Sequence, residues 1–275
     1  MTPNTRRAVI TAPVKKRTTI SIRVSPLEWV LGQLPPPIAL SYCTGYNELV
    51  ATLFIVATPI GNLGDITLRA LEVLRSVDTI ACEDTRHTRK LLTHFEISKP
   101  LISCRSQNEV QAAGRLLERL AEDQDAAYVS DAGTPGLSDP GQRLVAEIRA
   151  AGYPVVPIPG VSAFTTLLSV SEFGGRTVTF DGFLSPKGGK RSKRISELLK
   201  REENFILYES PHRILKILAD IAEKEPERQV LIGREMTKFH EEFINGASSE
   251  VLEQLESRNS LKGEFALLVS GRKKS

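Results

Sequence analysis

Ala126-Ala127-Tyr128-Val129-Ser130 runs directly into Asp131-Ala132-Gly133-Thr134-Pro135-Gly136-Leu137-Ser138-Asp139-Pro140-Gly141, and Gly141–Ala151 then reads as a helix. A short apolar strand, a loop and a helix form the unit from which parallel sheets are built. The loop is unusual. Residues 130–141 hold three glycines, two prolines and two aspartates, more than a plain connector needs, and long loops of this kind usually carry function.

The same unit recurs on either side. Upstream, Leu53–Ala57 is an apolar run ending at Thr58-Pro59, followed by Leu68, Leu71 and Leu74 at helical spacing between Thr67 and Ser76. Val77–Cys82 reads as a strand and Asp84–Phe95 as a helix with Asp84 as N-cap. Gln111–Ala121 puts Ala112, Leu116, Leu117 and Leu120 on one helical face. Downstream, Val155–Ile158 is a strand and a helix begins near Ser162. This alternation predicts an α/β fold with a mainly parallel sheet covered on both faces.

The rhythm breaks at Pro157-Ile158-Pro159-Gly160, so a domain boundary is expected there, with an N-terminal α/β domain over 52–163 and a C-terminal one over 164–275. In the second, Val178–Leu184, Asn204–Tyr208, Val230–Gly233, Glu241–Asn245 and Glu264–Ser270 read as strands, the last two antiparallel. Lys187–Lys200 reads as a basic loop leading into a helix. Ser210-Pro211 reads as an N-cap and first helical residue, with Ile214, Leu215, Leu218 and Ile221 inward.

Residues 1–51 differ in texture. The chain of 275 residues carries 36 basic and 33 acidic side chains, but residues 1–50 hold six basic and two acidic ones, which leaves the body near neutral. This stretch also holds six of the 16 prolines and Trp29, and we expect a disordered basic extension. An over-extended start, with the protein beginning near Val50 or Ala51, is the favoured reading; an organelle transit peptide and an RNA-touching arm are the alternatives. No run approaches the ~18 apolar residues of a membrane span. Cys43, Cys82 and Cys104 are too few and scattered for a disulfide framework, which fits a reducing, cytoplasmic setting. The four histidines lack metal-ligand spacing, so no catalytic metal is expected, and no Ser–His–Asp arrangement is present.

Ligands of open α/β sheets sit beyond the carboxyl ends of strands, where the unusual loops of this chain fall. Thr58–Asp65 carries Pro59 and Gly61 and has backbone N–H groups that suit an anion, yet it is neither a Walker loop nor GxGxxG. Pro157–Ala163 ends a strand and starts a helix. Glu83-Asp84-Thr85-Arg86-His87-Thr88-Arg89, Tyr208-Glu209-Ser210-Pro211-His212-Arg213 and Arg234-Glu235-Met236-Thr237-Lys238 each place acid beside base at a strand end. An ordinary capped helix with ion pairs would explain one such cluster, but three shift the balance toward function.

Taken in order, these loops resemble the ribosomal RNA small subunit methyltransferase I family of the tetrapyrrole methylase superfamily. The stretches that carry the resemblance are 56–63, 83–86, 130–135, 138–141, 159–163, 182–184, 209–213 and 234–238, within about residues 52–271. The resemblance implies two α/β domains of the tetrapyrrole methylase type with S-adenosyl-L-methionine in the cleft between them, a homodimer, and 2′-O-methylation of a cytidine ribose in the decoding region of small-subunit ribosomal RNA. The chain departs from the family at Arg105-Ser106-Gln107-Asn108-Glu109, where a His-Glu-His-Asn-Glu run is usual, at Leu184-Ser185-Pro186, and over Glu172–Arg176.

Under that reading, Pro59, Gly61, Asp131, Ala132, Gly133, Thr134, Ser162, Ala163 and Phe183 are the candidate cofactor residues, with Asp131 suited to an amine or ribose diol and Pro59 and Phe183 to an adenine face. Glu83, Asp84, Glu209 and Glu235 are candidate general bases, and Arg86 and Lys238 candidate cations for phosphate or developing alkoxide. Lys187, Lys190, Arg191, Lys193 and Arg194 are candidate RNA contacts on a flexible loop, with Arg272-Lys273-Lys274 as a basic tail. A solvated surface loop is the plain alternative for the first group. Two other functions compete: a small-molecule methylase of the tetrapyrrole type, and a protein that binds S-adenosyl-L-methionine without catalysis. The basic stretch argues against the first, and the altered 105–109 run leaves the second open.

Overall fold

Strand β1 (Leu53–Val56) lies between β4 (Ala126–Val129) and β5 (Val155–Ile158), parallel to both, with Leu53 opposite Ala126 and Val155. Strands β2 (Thr79–Cys82) and β3 (Leu101–Ser103) complete a parallel sheet of order β3-β2-β4-β1-β5. The computed structural model describes residues 50–174 and 177–272. The expectations on the extension, on Cys43 and Trp29, and on Gly175, Arg176, Lys273 and Lys274 lie outside them.

Period-two alternation divides this sheet's core. Phe54 and Val56 face α1 (Leu68–Ser76) and α2 (Thr85–His94) together with Leu71, Leu74, Ile80 and Leu92. Leu53 and Tyr128 face α3 (Glu109–Ala121) and α4 (Gln142–Ala150) with Leu116, Leu120, Leu144 and Ile148. Burial on both faces is why these strands are apolar throughout.

The second sheet has the order β6-β7-β10-β8-β9, formed by Val178–Gly182, Asn204–Glu209, Phe265–Val269, Gln229–Arg234 and Glu242–Ala247. Strands β9 and β10 run against the other three. Helices α6 (Gly188–Leu199), α7 (Ile214–Lys224) and α8 (Ser248–Glu256) cover one face. On the other, Leu167 of α5 (Ala163–Ser169) packs with Ile206, Leu231, Met236 and Leu268.

Three sequence expectations need correction. The Lys187–Arg194 stretch is not a loop: α6 starts at Gly188 and runs through it, because burial of Ile195, Leu198 and Leu199 overrides the low helix propensity of Gly188-Gly189. Ser210 does not cap α7. A turn over 210–213 intervenes, with Arg213 at the N-cap; Ile214, Leu218 and Ile221 point inward as expected, Ile217 joins them, and Leu215 is half-buried against the same core. Helix α8 was not anticipated; its clearest signal is the Val251/Leu255 pair, four residues apart and buried.

The Asn108-Glu109 end of the altered run is structural. One Glu109 carboxylate oxygen accepts the backbone N–H groups of Gly141 (3.1 Å), Arg143 (3.0 Å) and Leu144 (3.4 Å), tying α3 to the start of α4. The carboxylate thus meets the unpaired donors and positive dipole end of α4. Asn108 accepts from the Arg105 N–H and donates to the Ser103 carbonyl. Glu109→Ala is expected to cost about 2–3 kcal/mol by stranding these buried donors, read as a lower urea midpoint at unchanged slope. A loss within error would contradict the role.

Candidate functional site

The strand order sets the carboxyl ends of β3, β2, β4, β1 and β5 side by side, and hydrogen bonds join their loops. Arg105 Nε donates to the Glu83 carbonyl (3.2 Å) and the Asp84 N–H to Asp131 Oδ1 (3.0 Å). Thr58 and Gly133 exchange backbone bonds in both directions, at 2.9 and 3.0 Å. Thr134 Oγ1 donates to the Val161 carbonyl (3.1 Å).

Carboxylates converge on this edge. Burial raises the Glu83 carboxyl above the usual range, Asp131 adds to the rise, and Arg105 opposes it. Asp139 is pushed up to about 6, first by burial and then by Glu83 and Asp131, against a hydrogen bond from Ser130. Asp84 behaves oppositely. Its side chain caps α2 and grips Arg86, which holds it far below the usual carboxylate range. Glu83 and Asp139 are therefore the groups poised to take a proton, and Asp84 is a capping and pairing group.

The second sheet closes over the same edge at two glycines. Gly182, at a φ of +63°, stands so close to the loop after β4 that a Cβ would meet Ser138 Oγ at 2.6 Å. At Gly61 a Cβ would run into the stem of Lys238 and sit 2.9 Å from Thr237 Oγ1. The neighbouring loops are strained: Ser138, Glu235 and Thr237 have positive φ without being glycine. Tyr208 bonds to Ser162, and its ring meets Phe180 and Phe183 edge-on with centroids 4.9 and 6.0 Å apart. Phe183 itself is 58% exposed and presents an open aromatic face beside the cleft.

The structure thus brings Glu83, Asp84, Asp131, Gly133, Thr134, Ser162 and Ala163 to one edge, with Gly61 and Phe183 at the approach of the second sheet. Ala132 is exposed beside Asp131, whereas Pro59 is buried beneath its loop. Arg86 is exposed on α2. Glu209 turns inward onto the Ser210 N–H (2.8 Å) and Arg213 (3.1 Å). Glu235 accepts from the Glu264 N–H (2.8 Å) and Lys238 Nζ (2.9 Å), while Lys238 also reaches Glu264 (3.0 Å). Burial alone would raise the Glu235 carboxyl, but those partners hold it low, as they hold the Lys238 ammonium high. Lys187, at the N-cap of α6, and Lys190 and Lys193 on it are exposed, but Arg191 is bound by Asp220 (2.7 Å) and Arg194 by Asp181 (2.5 Å) and Glu197 (3.1 Å).

The site roles of Asp139, Tyr208 and Arg105 were missed from sequence. Asp139 lies in the Gly/Pro/Asp loop that marked the site, and Arg105 at the first changed position of the 105–109 run, so both had a signal. Tyr208 had none.

Residues 52–252 match the family of Tetrapyrrole (Corrin/Porphyrin) Methylases. A protein of Borrelia garinii subsp. bavariensis named ribosomal RNA small subunit methyltransferase I is 52% identical over 219 residues, covering 79% of this chain and 98% of that one. A protein of the same name from Synechocystis is 46% identical over 220 residues, 80% of this chain and 78% of that one. The chain belongs to the ribosomal RNA small subunit methyltransferase I family of tetrapyrrole methylases. The fold agrees. A cobalt precorrin-4 methyltransferase of cobalamin biosynthesis superposes with a TM-score of 0.59 at 14% identity, over 80% of this chain and 94% of that one. The uroporphyrin-III C-methyltransferase of Thermus thermophilus does so at 0.58 and 19%, over 80% and 94%.

In this tetrapyrrole methylase the raised Asp139 carboxyl has a measurable consequence. The folded state binds a proton that the unfolded state has released between about pH 4 and 6. Its contribution to stability is therefore full below about pH 4 and lost as pH rises through about 6. Asp139→Asn is expected to raise the melting temperature at pH 7.5 by about 2–4 °C, after discounting for partial exposure, and to change it little at pH 4. Equal melting at both pH values would contradict the strained carboxylate.

Proposed function

We propose that this chain methylates small-subunit ribosomal RNA at the 2′-oxygen of a cytidine ribose in the decoding region, with S-adenosyl-L-methionine as methyl donor. The observation that carries the substrate is the identity to relatives of that name over nearly the whole of one of them. The family resemblance of the loops supplies the finer target, and likewise a cytoplasmic homodimer. Among the described residues no helix is long and apolar enough to cross a membrane.

The residues suit the cofactor. Glu83, Asp131 and Asp139 together favour a cation, which the amine and sulfonium of S-adenosyl-L-methionine provide. Exposed peptide groups at Ala132 and Thr134 and the Phe183 ring suit its polar and adenine parts. When bound, it supplies an electrophilic methyl group on sulfur. Aligning the ribose oxygen with that methyl is the main task of the loops. Glu83 is the general base for the ribose hydroxyl, because it is ionisable at the edge and its carboxyl is raised. Asp84 orients Arg86, and Glu235 orients Lys238.

The test is transfer of labelled methyl from S-adenosyl-L-methionine to unmodified small subunits. Glu83→Gln is expected to lower kcat about 10²–10³-fold while cofactor affinity stays within a few-fold, and to remove the acid limb on which activity falls as Glu83 is protonated. Asp84→Asn and Glu235→Gln are expected to lower kcat less than about tenfold, since their carboxylates already serve local partners. Full activity in Glu83→Gln would remove it as base. Cofactor binding with no label in RNA would favour the non-catalytic alternative.

A further inference from the structure

Helix α2 carries Arg86, Arg89, Lys90, Thr93 and His94 at positions i, i+3, i+4, i+7 and i+8, the spacing of a single helical stripe. These five residues line an open groove of about 500 Å³, while Thr88, Leu91 and Leu92 point into the core. Helix α2 contains no acidic residue. Among the described residues, the ion pairs set one carboxylate against the stripe: Asp84, on Arg86. No ion pair among the described residues engages Arg89 or Lys90, and both are exposed. On α6, by contrast, Asp220, Asp181 and Glu197 take up Arg191 and Arg194. Lys190 and Lys193 of α6 are likewise exposed, but α6 carries Glu197 beside them, whereas the α2 stripe has no acidic residue of its own.

We propose that the α2 groove is a docking site for the phosphodiester backbone of the RNA substrate, with Arg89 and Lys90 as its principal contacts. This rests on the rRNA reading above. Position is the second argument. Helix α2 opens one residue beyond Glu83–Asp84, so a strand whose ribose lies at Glu83 has its neighbouring phosphates within reach of the stripe. At ~1.5 Å per residue, Arg86 to His94 spans about 12 Å, the length of some three to four nucleotides at ~3.4 Å each. Chemistry is the third. Guanidinium groups match phosphate oxygens in a planar fork, and a neighbouring ammonium adds a point charge. Such contacts fix the register of the strand without reading its sequence.

The experiment measures binding of the full chain to unmodified small subunits and to protein-free small-subunit rRNA across a salt series. Arg89→Gln/Lys90→Gln is expected to weaken binding to both at least tenfold and to reduce the slope of log affinity against log salt by about 1.5, with affinity for S-adenosyl-L-methionine and melting temperature unchanged. Lys216→Gln/Lys224→Gln on α7 removes the same charge elsewhere and is expected to leave the slope within error. An unchanged slope in the α2 variant overturns the proposal, as does an equal loss in the α7 control. A loss confined to intact subunits overturns it in favour of an acidic protein contact. No binding by the unsubstituted chain overturns it together with the rRNA reading, whereas intact RNA methylation with an unaffected α2 variant overturns it alone.

Discussion

Two backbone hydrogen bonds between Thr58 and Gly133 hold the candidate site together. They join the loop after β1 to the loop after β4, beyond the point where the strands stop pairing. The rest of the edge follows from that register. Asp131, just before the bridge, accepts the N–H of Asp84, and the Thr134 hydroxyl, just after it, donates to the carbonyl of Val161. Loops from four neighbouring strands thereby become one surface. The strand order makes this possible, because ligands of open parallel sheets gather where adjacent strands send their connections to opposite faces.

That surface is unfavourable on its own. It crowds Glu83, Asp131 and Asp139 in a partly buried place, and it keeps Ser138, Glu235 and Thr237 in left-handed backbone. Strain of both kinds survives only where surrounding structure over-determines it. Here that structure is the apolar core on both faces of each sheet, together with Glu109 on the start of α4 and Lys238 between two glutamates. A cationic ligand would relieve the carboxylate crowding, as the proposed sulfonium donor would do.

Much of this was legible in the sequence. Strands β1, β2, β4 and β5 are short apolar runs, and each runs into a loop carrying Gly or Asp at the carboxyl edge, whereas the three-residue, half-buried β3 was not read from the sequence. The Asp84 cap of α2 was equally plain. What stayed hidden depends on partners distant in sequence. Nothing near Arg191 reveals Asp220, and nothing near Glu109 reveals Gly141. The α6 stretch read as a loop because Gly188-Gly189 is a poor helix start, and its charge read as available because its carboxylates lie on other elements. Glu209 and Glu235 looked like Glu83 in sequence, an acid at a strand end beside a base. Only the fold separates the two that hold local cations from the one left open with a raised carboxyl.

The central claim is that the loops after β1, β2, β4 and β5, with the Gly182–Leu184 turn, form one cofactor site. Hydrogen–deuterium exchange of the full chain with and without S-adenosyl-L-methionine tests it most directly. The account predicts slowed exchange in 58–65, 83–86, 131–141, 159–164 and 182–184 together, with the α7 and α8 amides unchanged. Protection confined elsewhere, or binding with no protection at these loops, would contradict it.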